Sequence, residues 1–196
     1  MNFLKIISFA AVAAMSLMAV AACSASATTL EIGGVAQSGA VTLTASAESS
    51  LSFSETEEGL FQTCSGSHFH GSTTVFSGTK VTGSLGELNF TSCIRSPVVV
   101  NSPGKLYVEW ESGTTSGTVF WEGADLTMPS LFGFSVTCTT SASETTLGTL
   151  DGKASGTSEH ATLTVSAILS CGLVLPSVHW SGTYKVTSPT GLGVVA

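Results

Sequence analysis

From Ala161 to Leu169 the chain places Ala161, Leu163, Val165, Ala167 and Leu169 on one parity. Thr162, Thr164, Ser166 and Ile168 fall on the other. A strict period of two puts one face of a strand on a core and the other in water. The pattern recurs. Val41, Leu43 and Ala45 alternate with Thr42, Thr44 and Ser46, and Leu88 and Phe90 alternate with Glu87, Asn89 and Thr91. Val178, Trp180, Tyr184 and Val186 share one parity against His179, Ser181, Thr183, Lys185 and Thr187. Thr suits the wet face because its β-branch fits the pleat.

This explains an unusual composition. The 196 residues include 31 Ser, 27 Thr and 21 Gly, while charged residues make up only 10%. With 43% hydrophobic residues the chain is not a disordered acidic tract. Six Lys+Arg against thirteen Asp+Glu give a net charge of −7, which excludes a basic nucleic-acid footprint. Asp125 and Asp151 are the only aspartates, too few for a carboxylate-rich calcium protein.

Leu106–Glu111 and Thr118–Glu122 alternate on either side of the polar connection Ser112–Gly117, which predicts a hairpin with Trp110 and Trp121 paired across it. The mature chain, 28–196, is expected to form a single domain. Its predicted fold is an all-β antiparallel sandwich, Ig-like or jelly-roll-like, of 10–12 short strands.

The N-terminus is a targeting segment. Lys5 precedes the uncharged run Ile6–Ala22, which is short for a membrane span. Ala25-Ser26-Ala27 is a signal-peptidase site that would remove residues 1–27. Val20-Ala21-Ala22-Cys23 resembles a bacterial lipobox, which would remove 1–22 and leave a lipidated Cys23. Either route places the protein outside the cytoplasm, secreted or periplasmic, or lipid-anchored at the envelope, with no transmembrane span in the mature form.

In that compartment Cys64, Cys93, Cys138 and Cys171 read as two structural disulfides. A weak internal duplication favours one pairing. Gly59–Ser67 around Cys64 resembles Gly133–Ser141 around Cys138, and each half later reaches a strand ending Ser-Cys, at Cys93 and Cys171. Equivalent halves favour Cys64–Cys93 and Cys138–Cys171.

Ionisable residues offer little chemistry. His68 and His70 would share a face on a strand, the spacing a metal needs, although the Gly/Ser-rich stretch Ser65–Ser72 reads as a loop. His160 and His179 are candidates to complete a metal set, and Glu55, Glu57 and Glu58 precede the pair in sequence. Glu109, Glu111, Glu122 and Asp125 are the candidates for a paired-carboxylate hydrolase. No G-x-S-x-G, G-x-G-x-x-G, P-loop or haem-attachment motif occurs, so no catalytic residue and no cofactor are expected.

The segments Thr29–Ala36 (TLEIGGVA), Thr91-Ser92-Cys93 and Ser177–Leu192 (SVHWSGTYKVTSPTGL) resemble a group of small secreted bacterial proteins. The group is uncharacterised and β-rich, and some members carry the label "activator of alkane oxidation". The resemblance implies an accessory role in using hydrophobic substrates and supplies no catalytic residues. The expected function is therefore a non-enzymatic envelope or extracellular protein acting by contact with a surface, a glycan or a hydrophobic ligand. The alternatives are a metal-binding or hydrolytic protein centred on His68 and His70, and a homo-oligomeric structural subunit joined through strand edges.

Overall fold

The computed structural model describes residues 27–55, 59–75, 78–129, 134–140, 143–153, 156–173 and 175–196. Cys23, Glu57, Glu58 and the export segment lie outside them. Fifteen strands are present among the described residues, more than the expected 10–12.

The main sheet is antiparallel throughout and closes on itself. Its staves follow chain order: β3 (Thr42–Ala47) with β4 (Leu51–Glu55), β5 (Gly59–Val75), β6 (Lys80–Cys93), β8 (Lys105–Trp110), β9 (Gly117–Glu122), β12 (Thr145–Asp151), β13 (Thr162–Ser170) and β14 (Ser177–Ser188). β14 pairs with β13 on one side and with β3 and β4 on the other, which closes an eight-staved barrel. This corrects the sandwich expectation. Parity alone shows that one face is wet and one dry; it does not show whether the dry face meets a second sheet or curls onto itself.

Several staves break at mid-height, and the barrel has two tiers. In the lower tier β4 replaces β3 beside β5, as Leu51 pairs with Cys64. Also in the lower tier are β7 (Val99–Ser102), β10 (Asp125–Pro129) and β11 (Ser135–Thr139), which form a three-stranded arm in the order β7–β10–β11. The arm joins the barrel wall by one pair, Thr139 with Ser170.

The two halves of the chain are built alike. Leu51 pairs with Cys64 as Leu126 pairs with Cys138. Cys64 stands opposite Cys93, and Cys138 stands beside Cys171 next to the Thr139–Ser170 pair. Both disulfides are formed, Cys64–Cys93 and Cys138–Cys171, the pairing that the duplication favours. The long strand β5 corresponds to β11 and β12 taken together.

The upper end is closed by a small sheet made from both ends of the described chain. β1 (Thr29–Ile32) pairs with β15 (Leu192–Val195) and with β2 (Val35–Ala36). Leu30, Leu192 and Val194 are buried beneath it. Backbone bonds tie this lid to the upper loops: Thr28 N to Gly78 O, Val194 N to Thr115 O and Lys153 N to Leu192 O.

The interior follows the parity of the sequence. β13 buries Leu163, Val165, Ala167 and Leu169 and turns its Thr and Ser outward. Trp180 is the hub of the middle layer. It stacks on Phe53 at 6.1 Å and tilts against Trp121 at 5.2 Å, with Phe90 and Tyr184 at 5.6 and 6.2 Å. Such contacts add to area burial and hold the rings in fixed orientation. Trp110 does not meet Trp121 across the β8–β9 hairpin: Trp121 faces Leu106, and Trp110 faces Gly117.

Candidate functional site

His68 and His70 lie on β5, within a continuous ladder, so the loop expectation for Ser65–Ser72 is corrected. Glycine and serine there accommodate close neighbours rather than a turn. A Cβ at Gly66 would fall 2.5 Å from Thr91 Oγ1, and Ser67 is buried with its hydroxyl donating to Asn89 O at 2.6 Å. Both imidazoles face outward, as strand geometry requires. Glu87 pairs with His70 across the ladder, and its carboxylate lies 3.2 Å from His68 Nε2.

The remaining histidines are elsewhere. His160 Nδ1 donates to Val186 O at 2.7 Å, and His179 Nε2 shares a 3.0 Å hydrogen bond with Ser166 Oγ. Among the described residues no three His, Cys, Asp or Glu side chains come together as a metal-holding group.

The carboxylates are also dispersed. Glu109 lies 3.7 Å from Lys80 Nζ, which also pairs with Glu144 and sits 4.0 Å above the Phe120 ring. Glu122 accepts from the Tyr107 hydroxyl; this bond to a carboxylate raises the Tyr107 pKa above its ordinary value. Asp125 accepts from Asn101 Nδ2 at 2.9 Å. Glu111 lies in the β8–β9 turn, where its carbonyl accepts from Thr114 N. Glu109 and Glu122 are separated by the Tyr107–Phe120 pair, so they do not face each other across a substrate-sized gap.

The feature that stands out is at the lower end. Six large apolar side chains are exposed among the described residues: Val35, Ile94, Val99, Phe134, Ile168 and Leu173. Ile94, Phe134 and Leu173 lie in the connections at the lower end, after β6, before β11 and after β13, while Val99 and Ile168 point outward from β7 and from the lower half of β13. Leu173 is fully exposed. Segments 94–99, 129–134 and 168–177 contain a single charged residue, Arg95. An open groove of about 520 Å³ runs beside Ile168, between Thr139, Thr140 and Thr145 on one side and Ser170, Pro176 and Ser177 on the other.

The rim is held in place rather than left loose. Both disulfides lie immediately behind it. The buried Gln62 side chain fixes the loop after β6, accepting from Arg95 N at 3.2 Å and donating to Ser96 O. The sequence reading missed these residues because Ile94, Phe134 and Leu173 sit singly in connections, where they leave no periodicity, and Val99 and Ile168 are single apolar residues on otherwise wet strand faces.

No family model, curated protein or solved structure matches this chain.

Proposed function

We propose that this is an exported, non-enzymatic protein of the bacterial envelope or extracellular space. It acts by laying its disulfide-stapled end against an apolar surface, as an adhesive contact or as an accessory to the use of hydrophobic substrates. The observation that carries this reading is the exposure of Ile94, Phe134 and Leu173 in the connections at one end, with Val99 and Ile168 outward on lower-tier strands, in segments with one charge. Singly scattered apolar residues are ordinary on a protein surface, whereas a cluster at one pole is characteristic of contact sites. Two disulfides behind the rim fit an oxidising compartment, as do the n-region and h-region of residues 1–22. No helix among the described residues is long and apolar enough to cross a membrane. The resemblance to small secreted bacterial proteins implies the same kind of role.

The test is a deletion strain scored for attachment to hydrophobic and hydrophilic surfaces and for growth on hydrophobic substrates. Loss on the hydrophobic ones, restored by the native gene and not by a gene carrying Ile94→Ser and Leu173→Ser, supports the reading. Full rescue by the doubly substituted gene refutes it.

A second reading, assembly through strand edges, is favoured by one observation. Among the described residues the β6 edge on the side of β7 has no ladder partner past Ser84, so the backbone groups of Gly86–Cys93 on that side are unpaired by a strand. Light scattering across a concentration series tests it; a constant monomer mass argues against it.

A further inference from the structure

We propose that the upper lumen of the barrel is a binding site for a compact apolar molecule, entered sideways past Leu85. Three spaces carry the inference. The first is a cavity of about 40 Å³ under the terminal lid, between Leu30 and Leu192 above and Val81, Leu85, Leu106 and Val108 on the wall. It exists because the inward positions of β5 and β6 at this height are Gly71 and Gly83, which send no side chain into the lumen. The second is a smaller void of about 10 Å³ below it, against Trp121, Trp180 and Tyr184; Phe69, Leu85 and Leu106 line both. The third is an outer groove of about 480 Å³, formed by Ser102–Lys105, Glu122, Gly123, Ser84 and Leu85. Leu85 is the one residue that borders all three.

The wall is weakest at that residue. Pairing of β6 with β8 ends at Ser84–Lys105, and Leu85 N reaches Gly104 O at 3.4 Å. Gly86 then shifts the register against β5, and below it β6 has no ladder partner on this side among the described residues. In the equivalent half of the chain β13 and β14 run together through nine consecutive pairs. Leu85 keeps its pair with Gly71 of β5 and has on its other side only the long bond to Gly104 O, so its side chain stands at a thinly paired point between the lumen and the outer groove.

The chemistry of the chamber selects the ligand. Its walls are aliphatic and aromatic, and the hydroxyl of Thr73 on its border already accepts from Val41 N at 2.8 Å. A water molecule would find no set of partners there, and apolar cavities of this kind remain dry and take apolar guests. The volume admits a molecule of a few heavy atoms.

Xenon is the probe of choice, applied under pressure to the full mature protein with methyl-labelled Leu, Val and Met followed by NMR. Saturable shifts are expected at Leu30, Val81, Leu85 and Leu192, with Leu126 and Met128 of the lower tier unchanged. Gly83→Ala, whose new Cβ meets only ordinary contacts from 3.5 Å outward, should reduce the shifts. Leu85→Ala should speed xenon exchange severalfold and Leu85→Trp should slow it. Non-saturable or purely surface shifts would overturn the site. Saturable binding with an exchange rate unmoved by both Leu85 variants would overturn the entrance.

Discussion

Cys138 is bonded to Cys171 at a seam where the two flanking strands, β11 and β13, share a single pair, Thr139 with Ser170. Cys64 and Cys93, by contrast, face each other at the end of a ladder that continues through most of β5 and β6. The two bridges occupy equivalent places in the two halves of the chain but do different mechanical work. One reinforces a seam already paired. The other bridges the β7–β10–β11 arm to the barrel at a seam where the ladder itself supplies one pair.

The first prediction follows from that asymmetry. The bridges close loops with sequence separations of 29 and 33 residues, so each should contribute about 3–4 kcal/mol in the chain-entropy picture. Denaturant unfolding should show similar losses for Cys64→Ala with Cys93→Ala and for Cys138→Ala with Cys171→Ala. Hydrogen exchange should separate them. Removing Cys138–Cys171 should expose amides of β10 and β11 to exchange while β5 and β6 stay protected, and removing Cys64–Cys93 should leave the arm protected. Equal loosening by both would refute the distinction.

Tyr184 provides a pH prediction. Its hydroxyl donates to Ser67 Oγ at 2.8 Å inside the barrel, and burial pushes its pKa well above the ordinary 10.0. The neutral phenol is thus favoured in the folded state. Its stabilising contribution is complete below pH 10 and is lost as pH climbs past 10 towards the folded value. Tyr184→Phe should cost about 0.5–1.5 kcal/mol at neutral pH through the lost hydrogen bond. It should also flatten the fall in stability above about pH 10, as read by urea titration at each pH. An unchanged alkaline slope in the variant would count against the buried-phenol account.

Gly148 marks a close approach of backbones. It sits at the register shift between β12 and β9, and a Cβ there would fall 1.9 Å from the carbonyl oxygen of Thr164. The wall must move to admit it. Gly148→Ala should therefore destabilise by about 1–3 kcal/mol, the usual cost of forcing atoms into a filled interior. Gly39→Ala is the control: nothing lies within 4 Å of its would-be Cβ, and its melting temperature should stay near that of the native protein.

What was legible in the chain is local. Parity at Leu163–Leu169 and Val178–Val186 sorted core from surface, because a side-chain period of two survives whatever the strand pairs with. The cysteine pairing was legible because the two halves repeat. Barrel closure was not, because it rests on Val186 meeting Ala45 and Trp180 meeting Phe53, partners more than a hundred residues apart that alternation does not encode. The strand through Ser65–Ser72 was hidden by composition: Gly66 and Gly71 are there because Thr91 and Ser84 O crowd them, not because the chain turns. Of the candidate site residues, His68 and His70 do share a face, but Glu87 on the neighbouring strand was invisible as their partner until the register was known.

The stapled lower rim is the working surface we propose. Its most direct measurement is adsorption of the mature protein to methyl-terminated and hydroxyl-terminated surfaces on a quartz crystal microbalance. The comparison is with Ile94→Ser, Ile168→Ser and Leu173→Ser combined. These side chains are exposed, so the triple variant should keep its fold, each change costing about 0.5 kcal/mol or less. Saturable adsorption of the native protein is expected on the methyl surface only, with most of it lost in the variant at an unchanged melting temperature. Equal adsorption by the variant, or equal adsorption of the native protein on both surfaces, would contradict it.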